Sequence, residues 1–149
     1  PCRPKNSLHG TATQSQRRLY TSVHQKIGDN FGVVTSYDGY DEISLTSEFK
    51  VMTRLYERVY TPVEMGLRYT SPEELYGGST PEQAAAIFDA VLHGTATEAQ
   101  KNVVIANAAC GISIMDKNLT MAQTVEMARE SLESGKALEC FRKFVSINS

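Results

Sequence analysis

Three times in its second half the chain sets a threonine three residues ahead of a glutamine: Thr80 and Gln83, Thr97 and Gln100, Thr120 and Gln123. A Thr hydroxyl at an N-cap accepts a backbone N–H of the first turn, and a Gln at the third helical position reaches back to the cap. Each pair therefore predicts a helix start, and the residues after it fit. Pro81 takes the first helical position, and Ala84, Ile87, Phe88, Val91 and Leu92 form an apolar face before Gly94. Helices to about Met115 and to near Gly135 come after the other two pairs. A last helix, about 136 to 146, carries Ala137, Leu138, Phe141, Phe144 and Val145.

The first half has a different periodicity. Thr13 or Thr11 caps a helix to about Ile27, with Leu19, Tyr20, Val23 and Ile27 at helical spacing and Gly28 as the stop. "FGVVTS" (31–36) is short and β-branched and ends at an Asp38-Gly39 turn signal. Residues 49–54 and 58–63 read as two antiparallel strands, Val51, Thr53, Val59, Thr61 and Val63 at period two, with Tyr56 and Glu57 turning between them. Residues 1 to 10 read as a basic lead-in containing proline. The fold class is α/β: a mixed β-sheet with flanking helices.

With 149 residues, 41% hydrophobic and 21% charged, the chain has the size and composition of one globular domain. A net charge of −2 argues against a nucleic-acid binder, which needs a basic surplus. No apolar run approaches the roughly 20 residues of a membrane helix. The three cysteines are odd in number and match no metal or redox spacing. Cys110 and Cys140 lie in apolar helical patterns and read as small buried thiols, which fits a reducing cytoplasm. "IANAACGISI" (105–114) carries small and apolar residues all round, the pattern of a buried helix, and Asn107 within it reads as a hydrogen-bonded core amide.

Few groups carry chemistry. His24 reads as a helix-surface residue, His93 as a helix-end residue and His9 as a loop residue; their spacing makes no metal motif. "YGGST" (76–80) reads as a tight turn into a capped helix, with phosphate binding the second reading. Lys5, Arg17 and Arg18 read as surface charges. Asp41 and Glu42 are adjacent in the turn after the 31–36 strand, where open α/β sheets place their ligands. Such a pair is either a solvated turn or a site for a hard divalent cation such as Mg²⁺, which takes one or two carboxylates together with water and phosphate oxygens.

"VVTSYDGYDEISLTSEFKV" (33–51), with "DGYDEISL" at its centre, resembles the anthranilate phosphoribosyltransferase family at its strand followed by G-x-D-E-x-S. "TPVEMGL" (61–67) is similar to its Pro-x-x-x-Gly-Leu segment, "NVVIANAACGI" (102–112) to its N-A-A helix and "ARESLESGKALECF" (128–141) to its closing E-x-x-x-S-G-x-A stretch. The resemblance implies a large α/β domain with a mixed sheet beside a small helical domain. It implies transfer of the phosphoribosyl group of phosphoribosyl pyrophosphate to the amine of anthranilate, a step of tryptophan biosynthesis, with Asp41 and Glu42 as ligands of Mg²⁺. The family's Gly-rich phosphate loop, its His and Asn facing the acceptor and its helical, dimer-forming domain are expected to lie before Pro1, which looks like the end of G-P-L-x-N-P. The expectation is thus one partial domain over 1–149, the C-terminal half of the α/β domain. It holds no catalytic residue of its own, is inactive alone, and comes from a parent that is a homodimer. The same broad fold also serves nucleoside phosphorylases, and a binding module without catalysis is the third reading.

Overall fold

The computed structural model describes residues 4–148; the Pro1 landmark lies outside them. Four strands form one mixed sheet in the order β1-β2-β3-β4: β1 (Asn6–Gly10), β2 (Asn30–Ser36), β3 (Phe49–Thr53) and β4 (Glu57–Tyr60). β1 runs parallel to β2, with His9 opposite Val33, and the other two pairings are antiparallel. Helix α1 (Gln14–Ile27) joins the parallel strands, so the lead-in expected at 1 to 10 supplies the strand that completes a β-α-β unit. "NSLHG" has no β-branched run; it is a strand because β2 offers it a backbone ladder.

The 31–36 and 49–54 strands appear as expected, to within one residue. The next strand ends at Tyr60 rather than at 63. There Glu64 accepts hydrogen bonds from the Thr61 N–H (2.8 Å) and hydroxyl (3.1 Å), which starts a 3-10 turn at Val63–Met65. The hairpin turn is also earlier than expected. Thr53 Oγ1 accepts from the N–H groups of Leu55 and Tyr56, and Glu57 sits in the ladder opposite Met52.

Helices α2 (Pro81–Leu92), α3 (Glu98–Met115) and α4 (Met121–Glu133) each begin at the expected threonine. Gln100 and Gln123 close full capping boxes, whereas Gln83 turns to the Ser79 N–H at 2.7 Å. Thr13, not Thr11, caps α1; Thr11 instead bonds the Thr35 hydroxyl at 2.6 Å. Helix α5 is Lys136–Asn148.

The two sheet faces carry different cores. Val34, Phe49 and Val51 pack with Ile43, Leu45, Met65, Ile105 and the small residues Ala106, Ala109 and Cys110 of α3, as the all-round apolar pattern of that helix predicts. A Cβ at Gly32 would lie 2.2 Å from Ile114 Cδ1, so the glycine leaves room for the Ile114 side chain of α3 against β2. On the other face Phe31 and Val33 are fully buried beneath α1.

Helix α1 does not present its expected face to that core. Leu19 and Val23 are 62% and 43% exposed, while Arg17 and Thr21 are buried and Thr21 reaches Met52 Sδ at 3.7 Å. Arg17 is therefore no surface charge. The expected face of α5 is only half covered: none of its residues is fully buried, Ala137 packs partly buried against the core and Phe141 meets Phe88 at 5.0 Å between centroids, while Phe144 and Val145 are exposed. Periodicity identifies an apolar face but not the surface that meets it.

His24 is not on the surface either. Its ring stacks on Phe31 (5.3 Å) and lies 4.3 Å from the ring of His9, a strand residue rather than a loop residue. Among the described residues His9 Nε2 is buried without a partner. Burial first, and then the neighbouring His24, hold the His9 imidazole below its ordinary value of 6.5. A lowered folded value means that the unfolded chain takes up the proton first. The stability from neutral His9 is present above pH 6.5 and is lost as pH falls through the folded value. The urea midpoint should therefore drop between pH 7.5 and 5, and His9→Leu should flatten that drop; equal slopes in the two proteins would refute the assignment.

The cysteines divide in the same way. Cys110 is buried and Cys140 exposed, against the expectation that both are buried. Burial pushes the Cys110 thiol up to about 12. A thiol reagent with peptide mapping should label Cys140 in native protein and Cys110 only after denaturation, and labelling of native Cys110 would contradict this packing.

Candidate functional site

Asp41 and Glu42 sit where β1 and β2 end, at the carboxyl edge of the parallel pair. After Ser36 the chain turns tightly. The Ser36 N–H donates to Tyr40 O (3.1 Å) and the Gly39 N–H to Ser36 O (3.2 Å), with Gly39 at φ +93°. The chain then doubles back over the end of β1. A Cβ at Gly10 would lie 1.7 Å from the Asp41 carbonyl oxygen, so the bare backbone of β1 is the floor of the acidic turn.

Side chains fasten the turn from three directions. Ser36 Oγ donates to Glu42 O and accepts from the Ser44 N–H at 3.4 Å. Asn107 on α3 accepts from the Ile43 N–H at 3.0 Å and donates to Ile43 O at 2.9 Å, hydrogen-bonded as expected, though it is half-buried rather than in the core. Asp38 accepts from the hydroxyls of Ser44 and Thr46. Beyond the pair, Ile43, Ser44 and Leu45 are buried, and Leu45 is held at φ +61° with its carbonyl accepting from the Thr70 N–H.

Asp41 and Glu42 themselves point another way. Both are exposed. Among the described residues neither carboxylate accepts a hydrogen bond or forms an ion pair, unlike Asp38 in the same turn. Nor does any group of three or more His, Cys, Asp or Glu among the described residues suffice to hold a metal ion alone. The oxygen donors of Asp41 and Glu42 suit a hard cation that keeps its waters and shares a phosphate-bearing ligand, not a closed structural metal.

The remaining candidates stay apart from this turn. At "YGGST" the Ser79 N–H is taken by Gln83 and the Gln83 N–H by Thr80, so the start of α2 offers those groups to its own side chains. His93 Nδ1 lies 2.8 Å from Asp89 O at the end of α2. A cavity of about 570 Å³ lies at the opposite end of the sheet, between Asn30, Thr53, Arg58 and the α3–α4 junction. No helix among the described residues is long and apolar enough to cross a membrane. Sequence reasoning missed Ser36 and saw Asp38 only as part of the Asp38-Gly39 turn signal.

Comparison with known proteins gives this geometry a family. The glycosyl transferase family, a/b domain, matches residues 1–138. Anthranilate phosphoribosyltransferase of Phocaeicola vulgatus is 53% identical over 149 residues, which is all of this chain and 45% of that protein. The enzyme of that name from Cytophaga hutchinsonii is 47% identical over 145 residues, 97% of this chain and 44% of its own length. The chain thus spans a little under half the length of these curated relatives. Among solved structures, anthranilate phosphoribosyltransferase from Thermus thermophilus superposes with a TM-score of 0.83 at 28% identity, over 92% of this chain and 41% of that one. The Saccharomyces cerevisiae enzyme in complex with PRPP and Mg superposes at 0.84 and 19% identity, over 95% and 41%, a likeness of fold. Matched along nearly its whole length, and built on the mixed sheet and flanking helices of those structures, the chain belongs to the glycosyl transferase family, a/b domain.

Proposed function

We propose that this chain is the C-terminal portion of the α/β domain of an anthranilate phosphoribosyltransferase, and that Asp41 and Glu42 are its Mg²⁺ ligands. The observation that carries the reading is the contrast within one turn. Asp38 is engaged by hydroxyls, while Asp41 and Glu42, on a pinned backbone, stay exposed and unengaged at the carboxyl edge of the sheet. Identity of 53% with a relative of that name supports the choice of reaction.

In the whole enzyme the amine of anthranilate attacks the anomeric carbon of phosphoribosyl pyrophosphate, and pyrophosphate leaves. Mg²⁺, when bound, neutralises charge on that leaving group. The part of this chain is to hold two carboxylates at a fixed height above the end of β1, so that neither has to be reorganised when charge moves. The segments that grip the phosphates and the acceptor belong to the remainder of the parent. The 149-residue chain alone is therefore inactive, and the parent is a cytoplasmic homodimer joined through its helical domain.

The test is acceptor choice in the whole protein. With phosphoribosyl pyrophosphate and Mg²⁺, anthranilate fluorescence should decay only when the whole protein is present. Turnover of a nucleoside with phosphate and none with anthranilate would replace this reading by a phosphorylase, and no turnover with either would leave a binding module.

A further inference from the structure

We propose that Asn107 is the positioning residue of the acidic turn, acting on Asp41 and Glu42 through the backbone of Ile43; this rests on the cation reading above. Asn107 lies 64 residues from Ile43 in sequence, yet holds both polar atoms of its peptide backbone. Its remaining Nδ2 hydrogen goes to Val103 O at 2.9 Å, one turn back along α3. Both donors and the carbonyl of the amide are thus engaged, and the two-point contact with one residue fixes which end is oxygen. The side chain has no freedom left.

Its base is as rigid as its tip. Ala106, Ala109 and Cys110, on either side of it in α3, are fully buried. A site on a packed helix is held more closely than one carried by its own loop. The turn also needs an external hold. Leu45 at φ +61° is a left-handed conformation that a leucine keeps only when its surroundings over-determine it. Ser36 and Asp38 act within the turn itself, whereas among the described residues only Asn107, of the side chains bonded to residues 42–44, comes from α3. Outer residues that orient metal ligands typically govern affinity by about 10- to 100-fold.

Three changes to the whole enzyme, alone and combined, separate the possibilities: Asn107→Leu, which removes both bonds to Ile43 at similar volume, Asn107→Asp, which keeps the acceptor and loses the donor, and Asp41→Asn with Glu42→Gln. Two readouts are used: amide hydrogen exchange, and Mn²⁺ binding in the presence of phosphoribosyl pyrophosphate, followed by water-proton relaxation. For Asn107→Leu, exchange at residues 41–46 should quicken at least about tenfold while Val34 and Val51 keep their protection. Its Mn²⁺ affinity should fall about tenfold or more, with Asn107→Asp between it and the unaltered enzyme. In the Asp41→Asn, Glu42→Gln background Asn107→Leu should still speed exchange but change Mn²⁺ binding no further, because it acts through those two ligands. Unchanged exchange at 41–46, or exchange that rises equally across the core, would overturn the positioning role. Mn²⁺ binding that is absent from the unaltered enzyme, or that survives loss of both carboxylates, would overturn the cation reading instead, and the exchange data would still decide whether Asn107 holds the turn.

Discussion

Replacing Asp41 by Asn together with Glu42 by Gln in the whole enzyme is expected to lower phosphoribosyl transfer by about 100-fold or more. On the proposed function, the size comes from what a cation does at a departing pyrophosphate. Charge neutralisation there contributes several kcal/mol to the transition state, and each ~1.4 kcal/mol is a factor of ten in rate. The loss should fall mainly on kcat, because charge on the leaving group grows as the bond breaks. Both amides keep the shape of the acids, and neither carboxylate bonds to the described chain, so the fold should not change. Tm should stay within about 2 °C of the unaltered enzyme, a shift of the size that ordinary surface substitutions give. A Mg²⁺ titration completes the measurement: the variant should show weak or no dependence where the parent shows saturation. Unchanged rates across that titration would remove Asp41 and Glu42 from the reaction.

What the sequence revealed here depended on the range of the interaction. The caps at Thr80, Thr97 and Thr120 are contacts across three residues, and all three were legible. The 31–36 strand was legible because Phe31, Val33 and Val34 are buried on two different faces and so form a continuous apolar run. β1 was not, since five residues with a histidine and a glycine become a strand only beside β2. The face of α1 was misjudged because its i, i+4 spacing was satisfied by Leu19, Val23 and Ile27, while the residues that meet the sheet are Arg17, Thr21 and His24. Local pattern gave no sign that His24, 15 residues from His9, would lie against its ring and stack on Phe31.

The site divides along the same line. Asp41 and Glu42 could be seen as a pair in a turn, and the resemblance of "DGYDEISL" gave them a role. Their exposure, and the fact that Asp38 is engaged while they are not, needed coordinates. Asn107 was legible as an amide needing partners, since a buried amide without any is costly. That its partner would be the residue after Glu42 depends on the packing of α3 against the sheet, which Gly32 permits.

Gly10 joins fold and site most directly, and Gly10→Ala is expected to be the most damaging single-methyl change in the chain. The added carbon would lie 1.7 Å from the Asp41 carbonyl oxygen and 2.8 Å from its carbon, both backbone atoms that no rotamer change can move. One of two things must give. Either the end of β1 retreats from β2, losing the Thr11 N–H bond to Val34 O at 2.9 Å, or the turn lifts and pulls Ile43 from Asn107 and Glu42 from Ser36. Overpacking commonly costs about 1–3 kcal/mol and more where backbone must shift, so a loss of about 3 kcal/mol or greater is expected. For a chain of this size that lowers Tm by roughly 6–12 °C. Gly111→Ala is the matched control. It adds the same methyl inside α3, where nothing lies within 4 Å of the new carbon, and removing a glycine from a helix interior stabilises by up to about 1 kcal/mol. The two substitutions should therefore move Tm in opposite directions. If Gly10→Ala melts with the unaltered chain, the acidic turn does not rest on β1, and the fixed height of Asp41 and Glu42 above that strand loses its physical basis.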